Sequence, residues 1–232
     1  MRLLDFSPAE ATAILLTLKV AVVSVAASLP FGVAMAYALA RGRFPGKALL
    51  DGLVHLPLVL PPVVIGYILL LLFSPVGPGG VLLERLFGIT IAFRWTGAAL
   101  AAAIMGFPLM VRAMRLSIEA IDERLELAAR SLGRSGFSVF FTITLPLMAP
   151  GILAGTILAF ARGLGEFGAT ITFVSNIPGE TQTLPIAIYS FLQVPGADAA
   201  VLRLAILAIL LSLASLFASE WLARRIGARR AR

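Results

Sequence analysis

Glu126-Leu127-Ala128-Ala129-Arg130-Ser131-Leu132-Gly133 lies in a charged island, from about Arg112 to Pro146, between two apolar segments. Ten residues after Gly133 the chain reads Ile143-Thr144-Leu145-Pro146. The chain around the island is greasy: 59% of its 232 residues are hydrophobic, 13% are charged, and the mean hydropathy is +0.99. Soluble domains carry about 25% charged and about 45–50% apolar residues. The excess apolar surface must face something other than water. The fold class that follows is an all-α integral membrane protein, a polytopic helix bundle. Charges then gather where they reach water, so the island is read as a cytosolic contact surface.

A bilayer core of about 30 Å needs about 20 apolar residues per helix. Five segments meet that need: 13–40, 54–73, 97–111, 139–161 and 199–222. A sixth apolar stretch, 167–192, is broken by Asn176, Pro178, Gly179, Glu180, Thr181, Gln182 and Thr183. It reads as part helix and part re-entrant or periplasmic structure, with a sixth span as the alternative. Orientation follows from Lys and Arg. Arg41, Arg43 and Lys47, then Arg112, Arg115, Arg124, Arg130 and Arg134, then Arg224, Arg225, Arg229, Arg230 and Arg232 fall on one side of a five-span chain. They are thirteen of nineteen positive residues; Arg2, Arg85 and Arg94 fall on the other side, with Arg203 at its border. The positive-inside bias makes the first side cytosolic, with the N-terminus outside and the C-terminus inside. It also explains the net charge of +7 better than nucleic acid does, since no aromatic cluster or nucleic-acid motif accompanies the basic residues. Residues 223–232 read as a basic cytosolic tail. The first apolar run is too long for a signal-peptide h-region. With no cysteine and a single His55, the chain offers no disulfide, thiolate or His-rich metal site.

Within the island Ile118, Ile121, Leu125, Ala128 and Leu132 recur at steps of three or four, which predicts one apolar helical face. Glu119, Asp122, Glu123, Glu126 and Arg130 line the rest. Glu126 and Arg130 have the spacing and order of a helical ion pair. Gly133 suits a left-handed helix end, and Gly136 allows a second turn before the fourth span. A helix lying on lipid headgroups would carry Lys and Arg on its polar face; the acids here point to a protein partner instead.

Ala128-Ala129, Gly133, Ile143, Leu145 and Pro146 resemble the EAA loop of the permeases of type I ABC importers. The departure is Leu127, which stands where that family carries glutamate; the acid sits one place earlier, at Glu126. The stretches Leu56-Pro57-Leu58-Val59-Leu60-Pro61-Pro62-Val63-Val64-Ile65-Gly66-Tyr67, Leu164-Gly165-Glu166-Phe167-Gly168-Ala169-Thr170 and Phe173-Val174-Ser175-Asn176-Ile177-Pro178-Gly179-Glu180-Thr181 are similar to the molybdate permease subgroup, with sulfate and tungstate permeases as near relatives. The resemblance covers about 11–222, a single permease domain with its cytosolic loop at 112–138. It implies that the loop, through Glu126, Ala128, Ala129, Gly133, Ile143, Leu145 and Pro146, forms a coupling helix seated on a cytosolic ATPase. It implies further that two copies enclose the path and that an external oxyanion-binding protein delivers the substrate.

The residues agree with a non-enzymatic subunit in the inner membrane. The nearest approach to a phosphate-binding loop is Gly42-Arg43-Phe44-Pro45-Gly46-Lys47-Ala48, whose glycines are one residue too close and whose Ala48 replaces the magnesium-binding hydroxyl. ATP and magnesium are expected in the partner. Lys19 in the first span reads as snorkelling to the interface. Arg162 and Glu166 read either as a structural ion pair or as part of a gate. Gly163, Gly165 and Gly168 loosen the helix there; Thr170, Thr172, Ser175 and Asn176 offer neutral donors, and Phe167 a hydrophobic constriction. Arg162, Gly165, Glu166, Phe167, Gly168 and Thr170 are thus the pore candidates. Gly151 and Gly155 form a small-residue pair in the fourth span, able to pack on a second copy or within one subunit. The competing class is a self-contained secondary transporter or channel. It would show repeats or ion-coupling midplane charges, which this sequence does not.

Overall fold

The computed structural model describes residues 6–230, with side chains up to residue 218 and that of Trp221. Arg2 lies outside the described residues. The described chain is helical throughout, without strands.

Helix α1 spans Pro8–Arg41. Its start is fixed by a capping box: the Ser7 hydroxyl accepts from Glu10 N–H (3.2 Å), and the Glu10 carboxylate accepts from Ser7 N–H (2.6 Å). Pro8 occupies the first turn, where its missing N–H costs nothing. The 34 residues make a rod of about 51 Å. Helices α2, Lys47–Val59, and α3, Pro62–Phe73, meet at an angle of 113°. The predicted second span, 54–73, is therefore a bent pair, with Pro61-Pro62 at its break. Proline removes a backbone donor and crowds the preceding turn, so the chain bends where two stand in tandem. Helix α4, Pro78–Phe87, lies between the predicted second and third spans and closes with Gly88 at φ +65°.

Helix α5, Trp95–Glu119, is the central rod. In its most apolar stretch 61% of residues are buried, against 39% in α1 and 6% in α12 (Asp198–Arg230), so α1 and α9 (Ala149–Leu164) pack around α5 while α12 lies at the rim. Helix α5 continues eight residues past the predicted end of the third span. Arg112–Glu119, assigned to the loop at 112–138, is the last two turns of that helix. Helix α6, Glu123–Ser131, follows a three-residue break. The apolar stripe expected on one helix is divided accordingly: Ile118 and Ile121 are buried, whereas Leu125 and Leu132 are exposed.

The fourth span begins with α7, Gly136–Val139, a π-helical turn at Phe140–Thr144 and α8, Leu145–Leu147. It bends by 66° into α9, Ala149–Leu164. Gly136 is not a turn residue. It is the first residue of α7, and Ser135 caps that helix by accepting from Ser138 N–H (3.3 Å). The glycine pair of α9 packs within the subunit. A Cβ on Gly151 would meet Ser117 Cβ, and one on Gly155 would lie 2.8 Å from the Met110 carbonyl oxygen. Both partners are on α5. Without a hydrophobic drive inside lipid, such close backbone approach is what holds two helices together.

The stretch 167–192 forms α10, Gly168–Val174, and α11, Leu184–Phe191, joined by a loop. Neither is long enough to cross a membrane, so a sixth span does not form. Among the described residues three helices are long and apolar enough to cross alone, and counting each bent pair as one span gives up to five. At one end of the bundle Arg203 donates to Glu10 (2.8 Å), tying α12 to α1. At the other end α1 meets α6. The backbone of α12 continues to Arg230. The arginine side chains of the predicted tail, 223–232, and the backbone of 231–232 lie outside the described residues.

Candidate coupling surface and gate

Asp122 opens α6 by accepting from Arg124 N–H (2.9 Å). The helix ends as expected at Gly133, with φ +84°. Arg134 N–H reaches back to the Ala129 carbonyl (3.1 Å) and Gly133 N–H to that of Arg130 (3.0 Å), the paired bonds of a Schellman end. Ser135 then starts α7 at once.

The outward face of α6 and its flank is apolar. Leu127 is 62% exposed and Leu132 84%, with Leu125 and Phe137 beside them and Ala128 also exposed. Ala129 is half-buried. Basic side chains frame this ridge: Arg43, Arg124, Arg130 and Arg134 are exposed. A polar cavity of about 520 Å³, lined by Arg43, Lys47, Glu123, Leu127 and Arg130 among others, opens between α6 and the α1–α2 turn. That turn, the rejected phosphate loop, is closed by Lys47 donating to the Gly42 carbonyl (3.2 Å), with Gly46 at φ +86°.

Glu126 does not take part in the ridge. It is only 5% exposed. Its Oε1 accepts from Thr144 Oγ1 (2.9 Å) and from Arg41 Nε (3.4 Å). Among the ion pairs of the described residues Glu126 is joined to Arg41 and not to Arg130. The residue that faces out beside Glu126 is Leu127. Sequence reasoning missed Arg41 as the partner because 85 positions separate the two residues. Ile143 and Leu145 are half-buried and Pro146 is exposed. They lie on the π turn and α8 behind α6, not on its outward face. An aromatic chain, Tyr37–Phe140–Phe141–Phe137, runs from α1 to this segment with ring centroids 4.6–5.0 Å apart.

At the far end of α9 the helix stops at Leu164, and α10 begins at Gly168. Arg162 and Glu166 form the expected ion pair (2.5 Å), with Glu166 3% exposed. The other carboxylate oxygen accepts from Ala169 N–H (2.8 Å), satisfying a free donor in the first turn of α10. Gly165 is exposed with open space around it, whereas a Cβ on Gly168 would lie 2.9 Å from Pro62. Gly66 likewise fits α3 onto α10, its missing Cβ 2.5 Å from the Ala169 carbonyl oxygen. The break between α9 and α10 thus rests against the break between α2 and α3. Irregular backbone at membrane depth is tolerated where protein encloses it in this way. Phe167 is half-buried and stacks on Tyr189 at 5.2 Å between centroids.

Of the neutral donors expected to meet an anion, Thr172 and Asn176 are hydrogen-bonded within the protein, Thr170 is buried and Ser175 is exposed. The Thr172 hydroxyl donates to the Gly168 carbonyl (2.8 Å). Asn176 donates to Ser190 (2.8 Å) and accepts from Gln182 (3.0 Å). Ser175 takes φ +64°, and its carbonyl accepts from Thr181, whose hydroxyl also accepts from Ile177 N–H. The loop is fastened to α1 by Leu184 N–H donating to Thr17 (2.6 Å) and to α5 by Trp95 N–H donating to Glu180 (3.4 Å). Lys19 lies 3.6 Å from the centre of the Trp95 ring, a cation–π contact.

The profile of the family described as "Binding-protein-dependent transport system inner membrane component" matches residues 28–228. The chain is 61% identical over 218 residues to the molybdenum transport system permease protein ModB of Escherichia coli K12, covering 93% of this chain and 94% of that protein. It is 58% identical to ModB of Haemophilus influenzae, over 94% of this chain and 95% of that one. The sulfate transport system permease protein CysW of Synechococcus elongatus is 42% identical over 75% of this chain and 60% of its own. Among solved structures, a bacterial alginate ABC transporter superposes with a TM-score of 0.74 at 19% identity, over 96% of this chain and 82% of that one. The methionine ABC transporter MetNI gives 0.70 at 15%, over 92% and 94%. These two show the fold alone. By sequence and fold together, this chain belongs to the family of binding-protein-dependent transport system inner membrane components.

Proposed function

We propose that the chain is the permease subunit of an ATP-driven importer that carries an oxyanion, molybdate, across the bacterial inner membrane. The observation that carries this reading is the 61% identity, over 93% of the chain, to a molybdenum transport permease. A sulfate permease stands at 42% over 75%, so sulfate is the weaker alternative. The apolar ridge of Leu125, Leu127 and Leu132, framed by arginines, supports docking of a cytosolic ATPase on α6. That partner would bind ATP and magnesium, since this chain has no phosphate-binding loop. A binding protein outside the membrane would hand over the anion. The path would run between two copies of the chain, with the Glu166–Thr170 region near its outer gate. The N-terminus would lie outside and the C-terminus in the cytosol, which puts Arg41 and α6 at the cytosolic end of the bundle.

The test is growth and uptake. Cells lacking their molybdate importer should regain molybdoenzyme activity at trace molybdate when given this permease with its ATPase and binding protein. Unlabelled tungstate should compete with labelled molybdate, and sulfate should compete at least about 10-fold less well, a difference of about 1.4 kcal/mol in binding. Equal competition by sulfate would transfer the assignment to the sulfate reading.

A further inference from the structure

Three elements converge on one buried carboxylate. Arg41 is the last residue of α1, and its side chain is 12% exposed. Its Nη1 donates to Glu123 (2.9 Å), its Nη2 to the Ile121 carbonyl (2.9 Å) and its Nε to Glu126 (3.4 Å). The guanidinium therefore grips both the start of α6 and the break that precedes it. Glu126 in turn takes the hydroxyl of Thr144, a fully buried residue that closes the π-helical turn before α9. The Thr144 carbonyl accepts from Met148 N–H (2.8 Å), where the span bends.

This arrangement is unusual for simple adhesion. A buried charge pair holds a structure no better than apolar residues of the same volume. A guanidinium with three occupied donors does fix distance and angle, whereas apolar contacts are non-directional. Helix α6 needs such a fixture, because Leu125, Leu127 and Leu132 face away from the bundle. A push on that ridge reaches α1 through Arg41 and the bent fourth span through Thr144. The π turn is a place where a helix changes register, and such turns gather at functional sites.

Building on the proposed function, we infer that Arg41 is a positioning residue of the coupling step: its clasp on Glu123 and Glu126, with Thr144, transmits motion of α6 to α1 and α9. Arg41 and Glu126 are largely buried in the clasp while Glu123 is 61% exposed; the clasp determines how much of the ATPase's movement arrives in the membrane.

The experiment uses the full complex of permease, ATPase and binding protein in vesicles. Anion taken up per ATP hydrolysed is measured for Arg41→Ala, Glu126→Gln and the exchanged pair Arg41→Glu/Glu126→Arg. Recovery of ATPase on tagged permease reports assembly. The expected result is assembly at wild-type level, with uptake per ATP lowered about 10-fold or more in each single variant. Partial recovery is expected in the exchanged pair, and a smaller loss in Arg41→Lys, which keeps the charge but not the fork. Wild-type uptake per ATP in both Arg41→Ala and Glu126→Gln overturns the inference. So does loss of ATPase recovery in both, which would make the clasp a support for docking only. If the wild-type complex itself neither retains ATPase nor moves molybdate, the proposed function fails, independently of the clasp.

Discussion

Leu127 and Glu126 are neighbours with opposite fates. The helix turns about 100° per residue, so one faces the solvent and the other the bundle. The sequence placed an acid near the expected contact position, but adjacency on a helix means separation by nearly a third of a turn. Leu127→Asp should therefore weaken ATPase retention about 10-fold or more, by placing a charge in the centre of an apolar contact. It should leave the thermal stability of the membrane domain within about 0.5 kcal/mol, as exposed substitutions do; pull-down titration and a thermal melt in detergent check the two parts. Gly133 differs. Open space surrounds it, and its φ of +84° is the constraint. Gly133→Ala should cost about 1–2 kcal/mol from backbone strain, with Gly133→Asn losing less, again read by melting.

The helices were legible where a long apolar run could have only one meaning. Runs near 20 residues gave five spans because a bilayer allows little else. The bends at Pro61-Pro62 and Met148 were not legible, because a proline marks a weak point without stating how far the chain turns there. That depends on what packs against it: Gly168 sits on Pro62, and Gly66 on Ala169. The hydrogen bonds that Thr172 and Asn176 make within the protein were not legible for a related reason. Hydroxyl and amide groups suit an anion, but loop backbone in an apolar bundle needs them first. Gly151 and Gly155 show that a small-residue pair identifies close approach without naming the partner. Gly151→Leu should push α9 from Ser117 on α5 and cost about 1–3 kcal/mol. The dimer proposed above should persist on gel filtration, since the contact is internal to one subunit; its loss with an unchanged melt would place the pair between copies. At the α9–α10 break, Arg162→Ala leaves Glu166 buried without its partner and should cost about 3 kcal/mol, less some screening because Arg162 is partly exposed. The double variant Arg162→Ala/Glu166→Gln should recover part of that loss in a double-mutant cycle.

The molecule is polarised from end to end. Glu10 and Arg203 close one end; Arg41, Glu123 and Glu126 close the other. Between them runs α5, nearly all of its alanine-rich face buried, while α12 has little of its surface covered. On the proposed function, such a chain receives force at one end and changes shape within the membrane. The most direct test of that account is molybdate uptake into sealed vesicles holding the permease with its ATPase and binding protein. The account predicts labelled molybdate accumulating against its gradient only when ATP, the ATPase and the binding protein are all present. Accumulation by the permease alone, without ATP, would contradict it.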